Sequence, residues 1–301
     1  MAAVLGVAVD WPTGPDGYAV TTVEDFIRET AAWSDLGESQ VRAALARLLL
    51  HQGNAADHRD HAYTEVERRT RLTTHPLIAH QDGRILILPW LVHAAQQVYQ
   101  TAFDDGRLPH AELPKKVRDA LTVHRQVLEK QLEADIAAVA SRLGMPHFGN
   151  LKEKDANRFG LPTDSGEIDL LIADPAAERL WVVEAKHPHP GHSPHALQQH
   201  IDRFTKTKTG YLLRLRRKAN TVAAHPDAAA AACGAPPRHS WRVVPLIVTH
   251  LVEPTAFIAD PQATFTITAY LSDLLAAPHD PPPGWWQPSS PQKAYNQLAN
   301  Q

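Results

Sequence analysis

Hydrophobic residues recur at three- and four-residue spacing in two short stretches near the start of the chain. The first stretch begins after Thr22, which can cap a helix, and runs to about Trp33. The second begins after Ser39 and runs to Leu49. Two short helices joined by a tight, Gly-containing turn are typical of a DNA-reading helix-turn-helix and equally of an ordinary helical bundle. Both interpretations are open at this point.

The dipeptide Asp82-Gly83 separates two apolar runs, at residues 76–80 and 84–88. Asp-Gly readily adopts the positive φ angles of a tight turn, so these runs are predicted to pair as a β-hairpin. Pro89 then begins a further helical pattern. We therefore predict that residues 1–116 form a mainly helical region with one β-hairpin.

After the polar segment 104–114 the pattern changes to an alternation of helices and short strands. We predict helices near residues 117–143, 211–222 and 266–276, a further helix that begins near Ala196, strands near 168–173, 180–183 and 241–250, and an Ala- and Pro-rich loop at 227–238. This alternation predicts an α/β domain over residues 117–277. The Pro-rich residues 278–301 are predicted to form a flexible tail.

Composition narrows the class of protein. The 301 residues include 30 basic and 33 acidic side chains, for a net charge of -3, which excludes a globally basic nucleic-acid coat. Cys233 is the one cysteine, so neither an intramolecular disulfide nor a cysteine-based zinc site can form. No apolar run approaches the roughly 20 residues that cross a bilayer. We expect a cytoplasmic protein with no membrane partner.

Three charged residues stand out because they interrupt the apolar strands of the second region. Asp169 follows Gly166-Glu-Ile on the first strand, and Glu184 and Lys186 end the second strand, after Trp181-Val-Val. Residues two apart on a strand point to the same face of a sheet. Burying a carboxylate and an ammonium group there is costly unless they are paired or used. We expect Asp169 on the neighbouring strand to reach the same place.

Two carboxylates beside a lysine suit phosphodiester hydrolysis. Carboxylate oxygens bind Mg²⁺, a hard cation that also binds phosphate oxygens and lowers the pKa of its bound water. A neighbouring lysine can orient or deprotonate the attacking water and stabilise charge on phosphorus.

The pattern of Gly-Glu-Ile-Asp169 and Val-Val-Glu184-Ala-Lys186 resembles the PD-(D/E)XK, or restriction-endonuclease-like, nuclease superfamily. Residues 132–144 resemble the opening helix of its Holliday-junction resolvase and type IV restriction endonuclease branch. The resemblance covers residues 125–255. It implies a mixed central sheet flanked by helices, behind the mainly helical N-terminal region.

The same resemblance implies a site and an activity. Glu133, Asp169, Glu184 and Lys186 would be catalytic, and the metal would be held by Asp169, Glu184, the backbone carbonyl of Ala185 and Glu133. The cofactor would be Mg²⁺, with Mn²⁺ able to substitute. The expected activity is endonucleolytic cleavage of DNA in defence, restriction or repair, and a homodimer is a further expectation.

Basic residues after the second strand are the expected DNA-binding face, in an otherwise acidic protein. They are Arg203, Lys206, Lys208, Arg214 and Arg217. A solvated amphipathic helix is a compatible alternative. Gln199 is expected to support the site.

Other interpretations of the same residues remain open. Glu-x-Lys on an exposed strand is usually a solvated charge pair, and Glu133 competes with Glu129 and Asp135 for the helix position. The fold could also serve as a non-catalytic module that binds DNA or a partner, and the N-terminal region could recognise a protein partner. The histidines after Lys186 could hold a metal or form a solvated loop; they are His187, His189, His192, His195 and His200.

Overall fold

The fold is described from a computed structural model of the chain. It describes residues 1–51, 72–108, 113–162, 166–188, 194–236, 240–258 and 262–288, apart from the side chains of residues 153 and 194–196. The chain divides into two compact units, Met1–Arg125 and Gln126–Gln301. The division falls inside a long helix rather than at the predicted boundary after residue 116.

The first unit combines helices with a four-stranded mixed sheet. Its elements are α1 (Ala2–Val9), β1 (Ala19–Thr22), α2 (Val23–Trp33), α3 (Glu38–Leu45), β2 (Leu49–Leu50), β3 (Leu77–Ala79), β4 (Arg84–Ile87) and α4 (Pro89–Asp104). The strand order is β1-β4-β3-β2, in which β2 and β3 are parallel and the other neighbours are antiparallel.

Local sequence signals explain several of these elements. The side chain of Thr22 accepts a hydrogen bond from the backbone N–H of Asp25 at 3.1 Å, which caps α2. The turn between β3 and β4 has Gly83 at φ 82°, the left-handed conformation that Asp-Gly favours. The predicted hairpin is therefore present, and its strands β3 and β4 are the two central strands of the sheet. Its outer neighbours, β1 and β2, are too short and too irregular in pattern to have been predicted.

The second unit is built on a six-stranded mixed sheet. Its elements are α5 (Lys115–Arg142, which begins in the first unit), β5 (His147–Leu151), α6 (Glu153–Arg158), β6 (Ile168–Asp174), β7 (Arg179–Lys186), α7 (Pro194–Thr205), α8 (Tyr211–Ala224), α9 (Pro226–Cys233), β8 (Arg242–Thr249), α10 (Thr255–Ile258), β9 (Thr264–Ile267), α11 (Thr268–Leu275) and β10 (Gly284–Trp285). The strand order is β10-β9-β8-β7-β6-β5. Strands β5, β6 and β7 are antiparallel neighbours, whereas β7 to β10 are parallel.

Helices cover both faces of this sheet. On one face Leu180 and Val182 share a buried cluster with α8 and α9, and on the other Trp181 and Val183 share a cluster with α5 and α11. Strand β7 is therefore apolar at successive positions, as expected for a strand buried on both sides. The chain is a mixed α/β protein with two mixed sheets flanked by helices.

Strands β5 and β9 and helices α6 and α10 were not predicted, and two further segments differ from the sequence predictions in this unit. The predicted loop at 227–238 contains α9, which has Pro226 at its start and Gly234 in the left-handed conformation at its end. The predicted flexible tail contains β10, because Gly284 and Trp286 donate backbone hydrogen bonds to Ala263 and Phe265. Among the described residues, no helix is long and apolar enough to cross a membrane.

Arg179, on β7, holds the end of the second unit together. Its side chain is 2% exposed and donates to Asp174 at 2.7 Å. It also donates to the main-chain carbonyls of Leu275, Ala277 and His279. One guanidinium thus joins the β6–β7 hairpin to the end of α11 and the residues after it.

We expect Arg179→Met to lower the free energy of unfolding by about 3–5 kcal/mol, because it leaves Asp174 buried without its cation. Arg242→Met is the matched control, since Arg242 is exposed and pairs with Asp280 at 2.7 Å. This control should lower the free energy of unfolding by less than about 1 kcal/mol. Urea denaturation measures both values, and equal losses would contradict the assigned role of Arg179.

Candidate active site

The strand pairing brings the predicted acidic residues together. Leu170 on β6 is opposite Val183 on β7, which places Asp169 beside Glu184. Glu184 and Lys186 continue the alternation of Leu180 and Val182, so they point to the face covered by α8. The end of β7 therefore carries its charged side chains toward a helix rather than toward open solvent.

Asp169, Glu184 and Lys186 form a close network. The Nζ atom of Lys186 lies 3.1 Å from Oδ2 of Asp169 and 2.8 Å from Oε1 of Glu184. It also donates to the main-chain carbonyl of Ala185 at 2.9 Å, and the backbone N–H of Ala185 donates to Asp169 Oδ2 at 3.0 Å. Lys186 thus holds both carboxylates, and the backbone N–H of Ala185 also holds Asp169.

A second lysine completes this network from α8. The Nζ atom of Lys218 lies 2.5 Å from Oε2 of Glu184 and 3.9 Å from Oδ1 of Asp169. Lys218 is buried, as is Glu184. We call Asp169, Glu184, Lys186 and Lys218 the charged quartet.

The sequence prediction missed the role of Lys218 because the residue lies within a run of basic side chains. The signal that could have found it is helical spacing. Leu215, Lys218, Ala219 and Val222 recur at three- and four-residue intervals and form the buried face of α8. A lysine on that face must meet a carboxylate, whereas its neighbours Arg216 and Arg217 are exposed.

The pKa values of the two carboxylates in the quartet are shifted in opposite directions. Burial favours a raised pKa for Glu184, but the charges and hydrogen bonds of Lys186 and Lys218 outweigh it and hold the pKa below its usual value. Burial and the neighbouring Glu184 charge raise the pKa of Asp169. Burial alone would lower the pKa of Lys186, but the charges of Glu184 and Asp169 outweigh it and raise the pKa, so that lysine is a cation.

Glu133, on α5, lies within electrostatic range of this network. Burial and then the charge of Asp169 raise the pKa of Glu133, and the positive charge of Lys186 partly opposes the shift. Glu133 is only partly buried, so it is accessible from solvent. The structure thus brings Asp169, Glu184 and Lys186 into contact, with Glu133 in electrostatic range of two of them.

Tyr211 links the charged quartet to the predicted DNA-binding residues. The Nζ atom of Lys186 lies 5.3 Å from the centre of the Tyr211 ring, and the guanidinium of Arg214 lies 4.7 Å from it. Arg203, Lys206, Lys208, Arg214 and Arg217 are all exposed, on α7, α8 and the segment between them. Arg214 is the member of this set that the structure connects to the site.

Gly210 sets the start of α8, and with it the positions of Tyr211 and Lys218. A Cβ atom at this position would lie 2.6 Å from the carbonyl oxygen of Phe204 and 2.7 Å from that of Lys206. These are backbone atoms, which cannot move aside as a side chain does. The close approach of the two segments therefore requires glycine.

The remaining predicted residues lie in different surroundings. Gln199 is exposed on α7, whereas its neighbour His200 is buried and lies 2.7 Å from the Glu253 carboxylate. The ring of His187 stacks on His250 with centroids 3.5 Å apart, and burial and then His187 lower the pKa of His250 to about 4. His189, His192 and the His195 side chain lie outside the described residues.

The residues of the site fit a hard divalent cation. Asp169, Glu184, Glu133 and the Ala185 carbonyl supply oxygen donors, which Mg²⁺ prefers. The Glu184 oxygens and the Ala185 carbonyl already accept from Lys186 or Lys218, so a metal ion would have to displace these contacts. Asp169 Oδ1 is 3.9 Å from Lys218, beyond hydrogen-bonding distance, and is the quartet oxygen best placed to take a ligand.

No protein-family model matches the sequence, and neither a curated protein nor a solved structure matches the chain. The chemistry assigned to this site therefore rests on its own residues and geometry.

The opposite pKa shifts predict different costs for two matched substitutions. Glu184→Gln removes a charge that its surroundings favour, so it should lower the free energy of unfolding at neutral pH by about 3 kcal/mol. Asp169→Asn removes a charge that burial and Glu184 disfavour. It should lower the free energy of unfolding by less than about 1 kcal/mol, or raise it. Chemical denaturation of the two variants measures the difference. A larger loss for Asp169→Asn would show that the electrostatic assignment is reversed.

Proposed function

We propose that this protein is a metal-dependent nuclease that hydrolyses phosphodiester bonds of DNA. The observation that carries the proposal is the convergence of Asp169, Glu184 and Lys186 at the end of two paired strands, with Glu133 nearby. Charged side chains gathered in a largely buried setting are costly unless they are paired or used, and such clusters mark functional sites.

The order of elements supports the same proposal. Helix α5 carries Glu133, strands β6 and β7 carry Asp169 and Glu184, and helices then lead to the parallel strand β8. This is the order that the resemblance to the PD-(D/E)XK superfamily implies. We propose on this basis that the second unit is a restriction-endonuclease-like domain.

The metal would be held by oxygen atoms of Asp169, Glu184, Glu133 and the Ala185 carbonyl. When bound there, a Mg²⁺ ion would neutralise the negative charge that develops on phosphorus and would lower the pKa of a bound water. Mn²⁺ offers the same preference for oxygen ligands and is expected to substitute.

The protein residues have separate tasks in this proposal. Lys186 has a raised pKa, so it serves as a cation that orients water and stabilises negative charge on the phosphate rather than as a base. Asp169 and Glu133 would serve as oxygen ligands of the metal. Tyr211 and Arg214 offer a ring and a guanidinium beside Lys186, which suit a base and a phosphate of the substrate.

The test of activity is cleavage of plasmid, linear and single-stranded DNA, and of RNA, with Mg²⁺ or Mn²⁺. Wild type should cut only with metal, and Asp169→Asn and Lys186→Met should each lose activity by at least about 100-fold while remaining folded. Arg242→Met, an exposed change distant in sequence from the site, should cut as wild type does. Nicking of closed circles would indicate an endonuclease, the expected mode, and shortening from ends an exonuclease.

Contrary results would have definite meanings. If wild type binds DNA and never cuts, a non-catalytic binding module on this fold replaces the nuclease. If cutting requires an added protein, recognition of a partner through the first unit gains support. If RNA is cut and DNA is not, the proposed substrate changes from DNA to RNA, and the assignment of the catalytic residues is kept. A role in defence, restriction or repair remains part of the proposal, and the substrate preference tests it. A homodimer is also part of the proposal, and the molecular mass in solution tests it.

The exposed basic residues predict a salt-dependent contribution to DNA binding. Replacing Arg214 and Arg217 together by Glu should weaken binding and reduce the slope of log affinity against log salt by about 0.9 for each phosphate that these side chains neutralise. The control with the same change in charge replaces Lys152 and Lys154, which are exposed at the start of α6. Fluorescence anisotropy with a labelled duplex measures both. Equal weakening by the two pairs would remove the special role of α8.

A further inference from the structure

The turn after β8 presents two neighbouring apolar side chains to solvent. Leu251 and Val252 are 43% and 54% exposed, although β8 ends in buried residues just before them. We call these two residues the apolar tip. Single exposed apolar residues are ordinary on a protein surface, so the location of the tip and the contacts that hold it decide whether it has a role.

The apolar tip follows the strand end that lies beside Lys186. Strand pairing places Thr249 opposite Lys186. The next residues also meet, because the rings of His187 and His250 stack with centroids 3.5 Å apart. Neighbouring strands are about 4.8 Å apart and each residue extends the chain by at most about 3.6 Å, so the Cα atom of Leu251 lies within about 12 Å of that of Lys186. A nucleic-acid strand covers this distance in about four nucleotides.

Two buried polar side chains hold the turn on either side of the tip. The hydroxyl of Thr249 donates to the backbone carbonyl of Leu251 at 2.5 Å. The carboxylate of Glu253 accepts from the backbone N–H and the hydroxyl of Thr255, at 2.9 Å and 2.5 Å. Its other oxygen lies 2.7 Å from Nε2 of His200. The flanking side chains therefore face inward and are bonded there, which leaves the apolar tip directed outward.

The tip differs in chemistry from the groups beside it. Lys186 and Arg214 offer cations that suit phosphate oxygens of any nucleic acid, and Tyr211 offers a ring between them. Leucine and valine have nothing to offer a phosphate, but they pack on the faces of nucleobases and enter between unstacked base steps. In an intact duplex these faces cover one another. The closeness of the tip to the cationic groups favours a nucleic acid over a protein as its partner.

Resting on the proposed nuclease function, we propose that the apolar tip binds unstacked nucleobases within a few nucleotides of the phosphate that is cut. The preferred substrate is then DNA with unpaired bases, such as a single strand, a bubble or a branch point. Leu251 and Val252 bind the substrate without contacting the reacting atoms.

The experiment measures binding of the full chain to DNA by fluorescence anisotropy in EDTA, which prevents metal-dependent cutting. The labelled probes are a single strand, a duplex with a central bubble and a fully paired duplex of the same sequence. Electrostatic attraction alone favours the duplex, because its charge density is higher. Wild type should nevertheless bind the bubble and the single strand at least about tenfold more tightly than the duplex, as contacts with base faces permit.

The variant that tests the tip is Leu251→Ser with Val252→Ser. It should lose most of the preference for unpaired DNA, while its affinity for the duplex changes less than about twofold, because the phosphate-binding cations are unchanged. The matched control is Val20→Ser with Leu72→Ser. These two residues of the first unit are 52% and 43% exposed, so the control makes the same changes at similar exposure. It should bind as wild type does.

A second measurement needs no variant. Once the cut position is mapped with Mn²⁺, the fluorescent base 2-aminopurine is placed at each of the about four nucleotides on either side of it. Its fluorescence rises when a base leaves the stack. Wild type bound to the paired duplex should raise the fluorescence at one or more of these positions. Unchanged fluorescence at all of them would overturn the proposal.

The remaining outcomes separate this inference from the proposed function. If wild type cuts DNA but binds paired and unpaired probes equally, the apolar tip has no role in base binding and the nuclease stands. If the tip variant has a lower free energy of unfolding than the control variant, the tip is packed within the protein and the inference is wrong. If wild type neither binds nor cuts DNA, the function on which the inference rests is removed.

Discussion

The second unit depends on a charged quartet enclosed between its sheet and helix α8. Each carboxylate and each lysine in it is costly to bury, and the attraction between opposite charges offsets part of that cost. The pleat of β7, the register of β6 and the start of α8 at Gly210 must all be correct for these atoms to meet. The same contacts that define the candidate site therefore also select one arrangement of the strands and the helix.

The sequence was informative wherever a strand is buried on both faces. Apolar residues at successive positions of β6 and β7 make Asp169 and Glu184 conspicuous, and residues two apart on a strand must share a face. The hairpin around Gly83 and the helix from Pro89 were equally predictable, because a turn or a proline identifies each locally. In these places the information lies within a few residues of chain.

Other parts of the structure depend on contacts that no local pattern contains. Lys218 resembles its basic neighbours until the buried face of α8 is known. Strand β10 has two residues and exists because β9 lies beside it. The sequence of helix α9 predicts a loop equally well, since alanine and proline are common in both and packing against the sheet decides between them. Short elements of this kind are specified by tertiary packing.

Strand β10 also has a consequence for the behaviour of the protein in a concentrated solution. The edge of a sheet offers unpaired backbone groups to which another chain can add. Here the edge beyond β9 is occupied by Gly284–Trp285, with Pro281-Pro-Pro283 before it and Pro288 after it. Proline has no N–H to donate, so the prolines leave only a short stretch on which a further strand could grow. The Pro-rich segment thus limits the pairing of a second chain with this edge of the sheet.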